Sequence, residues 1–267
     1  MSAEAQRSAA PSPRHGYTAA QVRAAEAPLL AAGQPLMQRA AAALADEIGR
    51  LLAERARETD GASRPRIVVL AGSGDNGGDA LFAAAQLASG GADVRIVATG
   101  SRLHEEAAAA AHAAGAHDLD PGADPEGFDR AILDADVILD GILGIGAAAS
   151  PVLRGRSRDV VAHVLALLER GTPAGPRIKV APGGDAAGSR RPLVVAVDLP
   201  SGISPDDGSV PDPTVLTADV TLTFGAVKAG LLVPPGRDHA GRVALVDLGL
   251  GPALQGVEPA VRMRDGA

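Results

Sequence analysis

Six short runs rich in Val, Ile and Leu recur along the chain, at Arg66–Leu70, Val94–Ala98, Asp136–Asp140, Leu193–Val197, Val220–Phe224 and Val243–Val246. The first, RIVVL, has no polar alternation, the mark of a strand buried on both faces, as parallel strands are. Alanine- and leucine-rich stretches of helical length lie between the runs. Helices are expected near 18–31, 35–56, 79–89, 103–114 and 155–170, with some helix inside 118–131. Strands alternating with helices predict an α/β fold: a doubly wound, Rossmann-like three-layer sandwich with a mostly parallel sheet. Right-handed crossovers then gather the C-terminal ends of the strands along one edge, where ligands bind in such sheets.

A length of 267 residues suits one large domain. Aromatic residues make up 1%, with no Trp and a single Tyr, so the core must be built from Ala, Val, Leu and Ile. The scarcity of aromatics also removes the stacking platforms used for single-stranded nucleic acid. A net charge of −7 without a basic block disfavours any phosphate-backbone partner. The absence of Cys excludes disulfides, thiolate catalysis and Cys-ligated zinc, and agrees with a cytoplasmic setting. No apolar stretch is long enough to span a membrane, and the polar N-terminus is not a signal peptide. The expected organisation is a disordered tail at 1–15, one domain at 16–256 and a short tail at 257–267. The Gly/Pro-rich segment 172–191 reads as a flexible surface insertion.

The polar residues that follow the strands carry the chemistry. Asp75, Asn76 and Asp79 sit in the loop AGSGDNGGDA after the first strand, Asp140 ends the third, Asp198 and Ser201 follow the fourth, and Lys228 follows the fifth. Each has a plain structural reading. Asp79 can cap the next helix, Asn76 and Asp75 can bond their own turn, Asp140 can cap a turn, and Lys228 can be a solvated surface lysine. Their convergence on one edge is harder to explain structurally. Carboxylate, amide and hydroxyl oxygens together suit a hard cation. Glycine amides at helix N-termini suit phosphate. The loop is not a G-x-x-x-x-G-K-[ST] phosphate loop, and no G-x-S-x-G nucleophile elbow stands at a strand end. The histidines in or near 103–117 lack metal-ligand spacing and read as a solvated helix face.

The segments GSGDNGGDAL, DVILDGILGIG, VVAVDLPSGISPDDG and ADVTLTFGAVKAG, in that order, resemble the signature segments of the NAD(P)H-hydrate epimerase family, the YjeF N-terminal domain. The N-terminal PLMQRAAAALADEI also resembles that family's first conserved helix, and the similarity runs from about Tyr17 to Gly249. The resemblance implies an isomerase that interconverts the R and S hydrates of NADH and NADPH (NADHX and NADPHX). It implies a catalytic pair, Asp198 and Lys228, and a potassium ion held by Asn76, Asp140 and Ser201. It also implies a substrate site formed by Asp75, Asn76, Gly77, Gly78 and Asp79, by the turn Gly144, Ile145, Gly146 and Ala147, and by Asp198. A homodimer is implied as well. The sequence stops shortly after VDLGLGPALQG, so the stereospecific dehydratase that consumes one epimer is expected as a separate protein.

Departures from the family pattern are Asp75 for the usual Asn, Gly141 for Ala, Ile145 for Thr and Ser204 for Asp, with Arg39-Ala-Ala at the helix step. None falls on the proposed catalytic or cation-binding residues. One alternative is a non-catalytic binding or scaffold module of the same fold, which would tend to have lost the Asp and Lys. Another is a nicotinamide-dependent dehydrogenase, which needs an acidic residue at the end of the second strand; that strand ends VATGSR.

Overall fold

The computed structural model describes residues 14–57, 64–147, 150–171 and 191–263. Apart from Arg191, the insertion expected at 172–191 lies outside the described residues, as does the N-terminal tail up to residue 13. The strands are β1 (His15–Gly16), β2 (Arg66–Ala71), β3 (Asp93–Ala98), β4 (His117–Asp118), β5 (Val137–Gly141), β6 (Leu193–Val197), β7 (Val220–Phe224), β8 (Arg242–Val246) and β9 (Val261–Arg262). The helices are α1 (Ala19–Ala31), α2 (Leu36–Arg57), α3 (Asp75–Ser89), α4 (Glu105–Ala113), α5 (Pro125–Leu133), α6 (Gly155–Gly171), α7 (Gly236–Ala240) and α8 (Gly251–Leu254).

Seven strands form one parallel sheet in the order β4-β3-β2-β5-β6-β7-β8. The chain builds outward from β2 in one direction and from β5 in the other, so strand order reverses between β2 and β5. That reversal opens a crevice at their C-terminal ends. Successive residues of each strand feed opposite layers. Ile67, Val69 and Ala71 join Val137 and Leu139 in a core shared with α2, α3 and α4. Val68, Leu70 and Ile138 join a second core with Phe128 and Ile132 of α5 and with Val160, Val161 and Val164 of α6. Both layers are filled mainly by small aliphatic side chains, which lets the helices approach the sheet closely.

Two short pairings were not anticipated. β4 is only two residues long and closes one edge of the sheet against β3. β1 pairs antiparallel with β9, His15 opposite Arg262 and Gly16 opposite Val261, so β9 lies in the expected C-terminal tail and β1 straddles the expected boundary between the N-terminal tail and the domain. The glycine loop is also shorter than expected. α3 begins at Asp75, with Gly74 as its cap residue, so Asp79 lies inside the helix and does not cap it.

The glycines of α3 have separate tasks. A Cβ on Gly77 would sit 2.1 Å from the Gly72 carbonyl oxygen, and a Cβ on Gly72 would sit 2.0 Å from that of Ile142. These contacts press the start of α3, the turn after β2 and the turn after β5 into one backbone cluster. Exposed Gly49, midway along α2, has open space around it. Gly49→Ala should therefore stabilise the protein by about 0.5–1 kcal/mol through helix propensity. Gly77→Ala, in a helix too, should destabilise it by at least about 1–3 kcal/mol through overpacking. Denaturant unfolding of the two variants checks the opposite signs.

Candidate active site

The crevice at the strand-order reversal is a cleft of about 780 Å³. Its floor is made by the strand-end turns, including Gly72, Ile142–Gly146, Asp198, Phe224 and Lys228, and one wall by α1 and the start of α2. Asp75, Asn76, Asp79, Gly144, Ile145, Gly146, Asp198 and Lys228 of the expected site all line it. Asp140 and Ser201 lie beneath the floor, each 1% exposed. Gly77 and Gly78 are buried in the first turns of α3 and form no part of the cleft wall. The Gly78 amide donates to the Gly74 carbonyl at 3.1 Å, whereas the amides of Asp75, Asn76 and Gly77 are the first-turn donors a helix leaves without carbonyl partners. Ala147 ends a short 3₁₀ turn, Ile145–Ala147.

Lys228 is not a surface lysine. Its side chain is 1% exposed, and its Nζ forms an ion pair with Asp198 Oδ1 and donates to the Phe224 carbonyl at 2.8 Å. The same Asp198 oxygen accepts from the Phe224 amide at 3.2 Å and the Thr223 hydroxyl at 3.3 Å. The bonds that Asp198 receives from Lys228, Phe224 and Thr223 all converge on Oδ1. Asp198 is also the one non-glycine residue with positive φ, +67°, among the described residues. Such a backbone costs about 1–3 kcal/mol and persists only where its surroundings over-determine it. Here the Asp198 amide donates to the Leu222 carbonyl at 2.7 Å, which locks the turn onto β7.

A second cluster sits under the neighbouring turn. Asp140, the penultimate residue of β5, accepts from the Ser201 amide at 2.8 Å, the Ser201 hydroxyl at 2.6 Å and the Ile142 amide at 3.3 Å. Ser201 Oγ also accepts from the Leu143 amide at 2.9 Å, while Asn76 Nδ2 donates to the Leu143 carbonyl at 3.1 Å. Asn76, Asp140 and Ser201 thus gather around one backbone turn. Burial pushes the Asp140 carboxyl up, opposed by the hydrogen bonds from Ser201 and Ile142. A Cβ on Gly144 would crowd the Asn76 side chain at 3.1 Å, so that glycine permits the approach. No group of three or more His, Cys, Asp or Glu is placed to hold a metal ion among the described residues. The trio is a different donor set, with a single carboxylate.

Asp79 stands between the clusters. Its Oδ1 is buried with no hydrogen-bond partner. Burial pushes its carboxyl well above the ordinary range, and the charges of Asp198 and Asp75 push the same way.

The model of the YjeF-related protein N-terminus matches residues 33–230. The chain belongs to the YjeF N-terminal family. It is 49% identical over 251 residues to a protein of Clavibacter sepedonicus named NAD(P)H-hydrate epimerase, covering 92% of this chain and 95% of that one. A Microbacterium testaceum protein of the same name is 49% identical over 245 residues, covering 92% and 82%. A Mycobacterium tuberculosis protein named bifunctional NAD(P)H-hydrate repair enzyme Nnr is 38% identical over 240 residues, which are 89% of this chain but only 42% of that one. The crystal structure of the yeast protein YNL200c shares the fold, with a TM-score of 0.61 at 16% identity over 86% of each chain. The expected three-layer fold is therefore that of the family, and no described helix is long and apolar enough to cross a membrane.

The cleft of this family member also holds residues that the strand-end pattern did not reveal. Arg23, Glu26 and Leu30 of α1 and Met37 of α2 line it. The available signal was spacing: Glu26 falls four residues after buried Val22, an acid on the inward stripe of a helix. Arg23 Nη2 donates to the Ile145 carbonyl at 2.5 Å and so ties α1 to the floor turn.

The ion pair should be strongly coupled. Lys228→Met or Asp198→Asn alone should each lower unfolding free energy by about 3–5 kcal/mol, because each strands a buried charge or its partners. The double variant should lose less than the sum by more than about 1 kcal/mol. A double-mutant cycle from denaturant unfolding measures that difference.

Proposed function

We propose that this protein is an NAD(P)H-hydrate epimerase, interconverting the R and S epimers of NADHX and NADPHX. The observation that carries this reading is the buried Asp198–Lys228 pair in the cleft floor, beside an anion-accepting helix N-terminus. The kinship with proteins named for that activity supports it.

In the hydrate, ring carbon 6 bears a hydroxyl beside the ring nitrogen. Protonation of the hydroxyl and loss of water leave a nitrogen-stabilised cation at that carbon. Water then adds to the other face and loses a proton, so atoms and charge balance over the cycle. Asp198 suits the proton transfers to and from oxygen: Lys228 fixes its Oδ1, which leaves the rest of the carboxylate toward the cleft. The unpaired first-turn amides of α3 and the turn 144–147 would hold the pyrophosphate, the helix dipole favouring its charge.

The cluster beneath the floor fits a potassium ion. Asp140 is a buried carboxylate whose partners are all neutral, and the Ser201 hydroxyl, the Asn76 amide and the Leu143 carbonyl gather at the same turn. Asn76, Asp140 and Ser201 would hold the ion, which would neutralise Asp140 and brace the turn that carries Gly144 and Ile145. Because one relative is named a bifunctional NAD(P)H-hydrate repair enzyme, we also propose a dehydratase as the functional partner of this activity.

The R hydrate of NADH, incubated with the protein in potassium buffer, should yield the S form at a rate far above the spontaneous one, followed by chromatography. Asp198→Asn should lower that rate by about 10²–10⁴-fold. Conversion at the spontaneous rate by the folded wild type would point instead to a binding module. Potassium has a readout independent of activity. Replacing sodium by potassium should raise the melting temperature of the wild type, and Asp140→Asn should abolish the difference.

A further inference from the structure

The chemistry above leaves the carboxyl groups of three cleft acids, Glu26, Asp75 and Asp79, without a task, and Glu26 alone of them comes from the α1 wall. Glu26 enters from the α1 wall, half-buried, and its carboxyl makes no hydrogen bond or ion pair with any described residue. It is held there rigidly. Thr18 and Gln21 cap α1 reciprocally, and the Ala19 amide donates to Asp206 Oδ1 at 2.6 Å. The residue before α1, Tyr17, donates its amide to the Val227 carbonyl at 2.8 Å and accepts from the Ala229 amide at 2.9 Å. These two bonds straddle Lys228, so the helix that carries Glu26 is registered directly on the ion pair.

An unpaired carboxyl in such a place is not explained by folding. Its ionised form gains nothing from hydrogen bonding, and burial pushes its carboxyl up. Lys228 and Arg23 act against that shift, whereas Asp198 and Asp75 reinforce it, and Asp79 is a further acid of the cleft.

Moving a hydroxyl from one face of a ring carbon to the other needs a proton-handling group on each face. Asp198 is an ion-paired carboxylate, fit to take a proton. Lys228 already directs its protons at Asp198 and the Phe224 carbonyl. What the assigned pair lacks is a neutral acid on the opposite side. Resting on the epimerase reading, we propose that Glu26 is a catalytic residue, the acid–base partner of Asp198 acting from the α1 side of the cleft. In one direction the Glu26 carboxyl gives its proton to the departing hydroxyl, which leaves as water. Asp198 takes the proton of the water that adds to the other face. In the reverse direction the roles exchange, and the pair regains its starting state by proton exchange with solvent. One proton is shared between the two carboxylates, so both directions have the same pH dependence.

The test compares Glu26→Gln, Glu26→Asp and wild type in both directions across pH, in potassium buffer, with melting curves alongside. Wild-type kcat/KM should fall as pH rises through the raised Glu26 value, because the shared proton is then lost. Glu26→Gln should melt like the wild type, lose about 10²–10⁴-fold in kcat/KM and lack that alkaline limb. Glu26→Asp should keep the limb at a reduced rate. A Glu26→Gln enzyme within threefold of wild type, or a slow one with the alkaline limb intact, would overturn the assignment while leaving the epimerase reading in place. A wild type that does not epimerise the hydrate would overturn the reading itself.

Discussion

The buried ion pair between Lys228 and Asp198 is the interaction on which the rest of the site depends. Neither charge could stay in so dry a place alone, since a lone buried ion costs far more than one matched to a partner. The pair draws on three chain segments at once. Asp198 lies in a left-handed turn after β6, the Phe224 carbonyl and amide at the end of β7 hold both partners, and the bonds of Tyr17 on either side of Lys228 bring in the N-terminal helix. The pair holds the side chain of that turn while the Asp198 amide bond to Leu222 holds its backbone, and the Tyr17 bonds beside Lys228 register α1 on the sheet. The geometry of the cleft floor and the attachment of the cleft wall therefore rest on the same few bonds.

The cleft also gathers an unusual number of acids for a site expected to receive a dianionic dinucleotide. Glu26, Asp75, Asp79 and Asp198 all line it. Four ionised carboxylates there would repel such a ligand. The structure relieves the conflict by unequal environments. Lys228 matches Asp198, while burial and mutual repulsion drive Asp79 and Glu26 toward their neutral forms. Helix α3 adds the positive end of its dipole at the same mouth. Charge at this site is thus governed by where protons reside as much as by residue type.

The sheet was legible in the sequence for a physical reason. Its central strands β2, β5, β6 and β7 are buried on both faces, so Ile67 to Ala71 or Leu193 to Val197 could only be apolar. The convergence of Asp140, Asp198, Ser201 and Lys228 followed from the rule that strand ends share an edge. What escaped was either too short or set by tertiary contact. The pairs His15–Gly16, His117–Asp118 and Val261–Arg262 are two-residue strands with no room for a period. The start of α3 was misplaced because Gly77 and Gly78 are poor helix formers. Close backbone approach to Gly72 outweighs that penalty, and no propensity scale contains it. Glu26 was passed over because α1 looks from its sequence like a helix with ordinary surface charges. Its inward position becomes visible only once Tyr17 is seen to anchor the helix beside Lys228.

The scarcity of aromatic residues has an optical consequence. With no tryptophan in the chain, tyrosine emission is not masked by energy transfer, and Tyr17 is the sole tyrosine. It is 5% exposed, packed against Val22, Ala226 and Leu250, with its backbone bonded on both sides of Lys228. The chain therefore carries a single tyrosine fluorophore at the joint between the N-terminal helix and buried Lys228. Ligand entry or loosening of that joint can be followed on the unlabelled molecule.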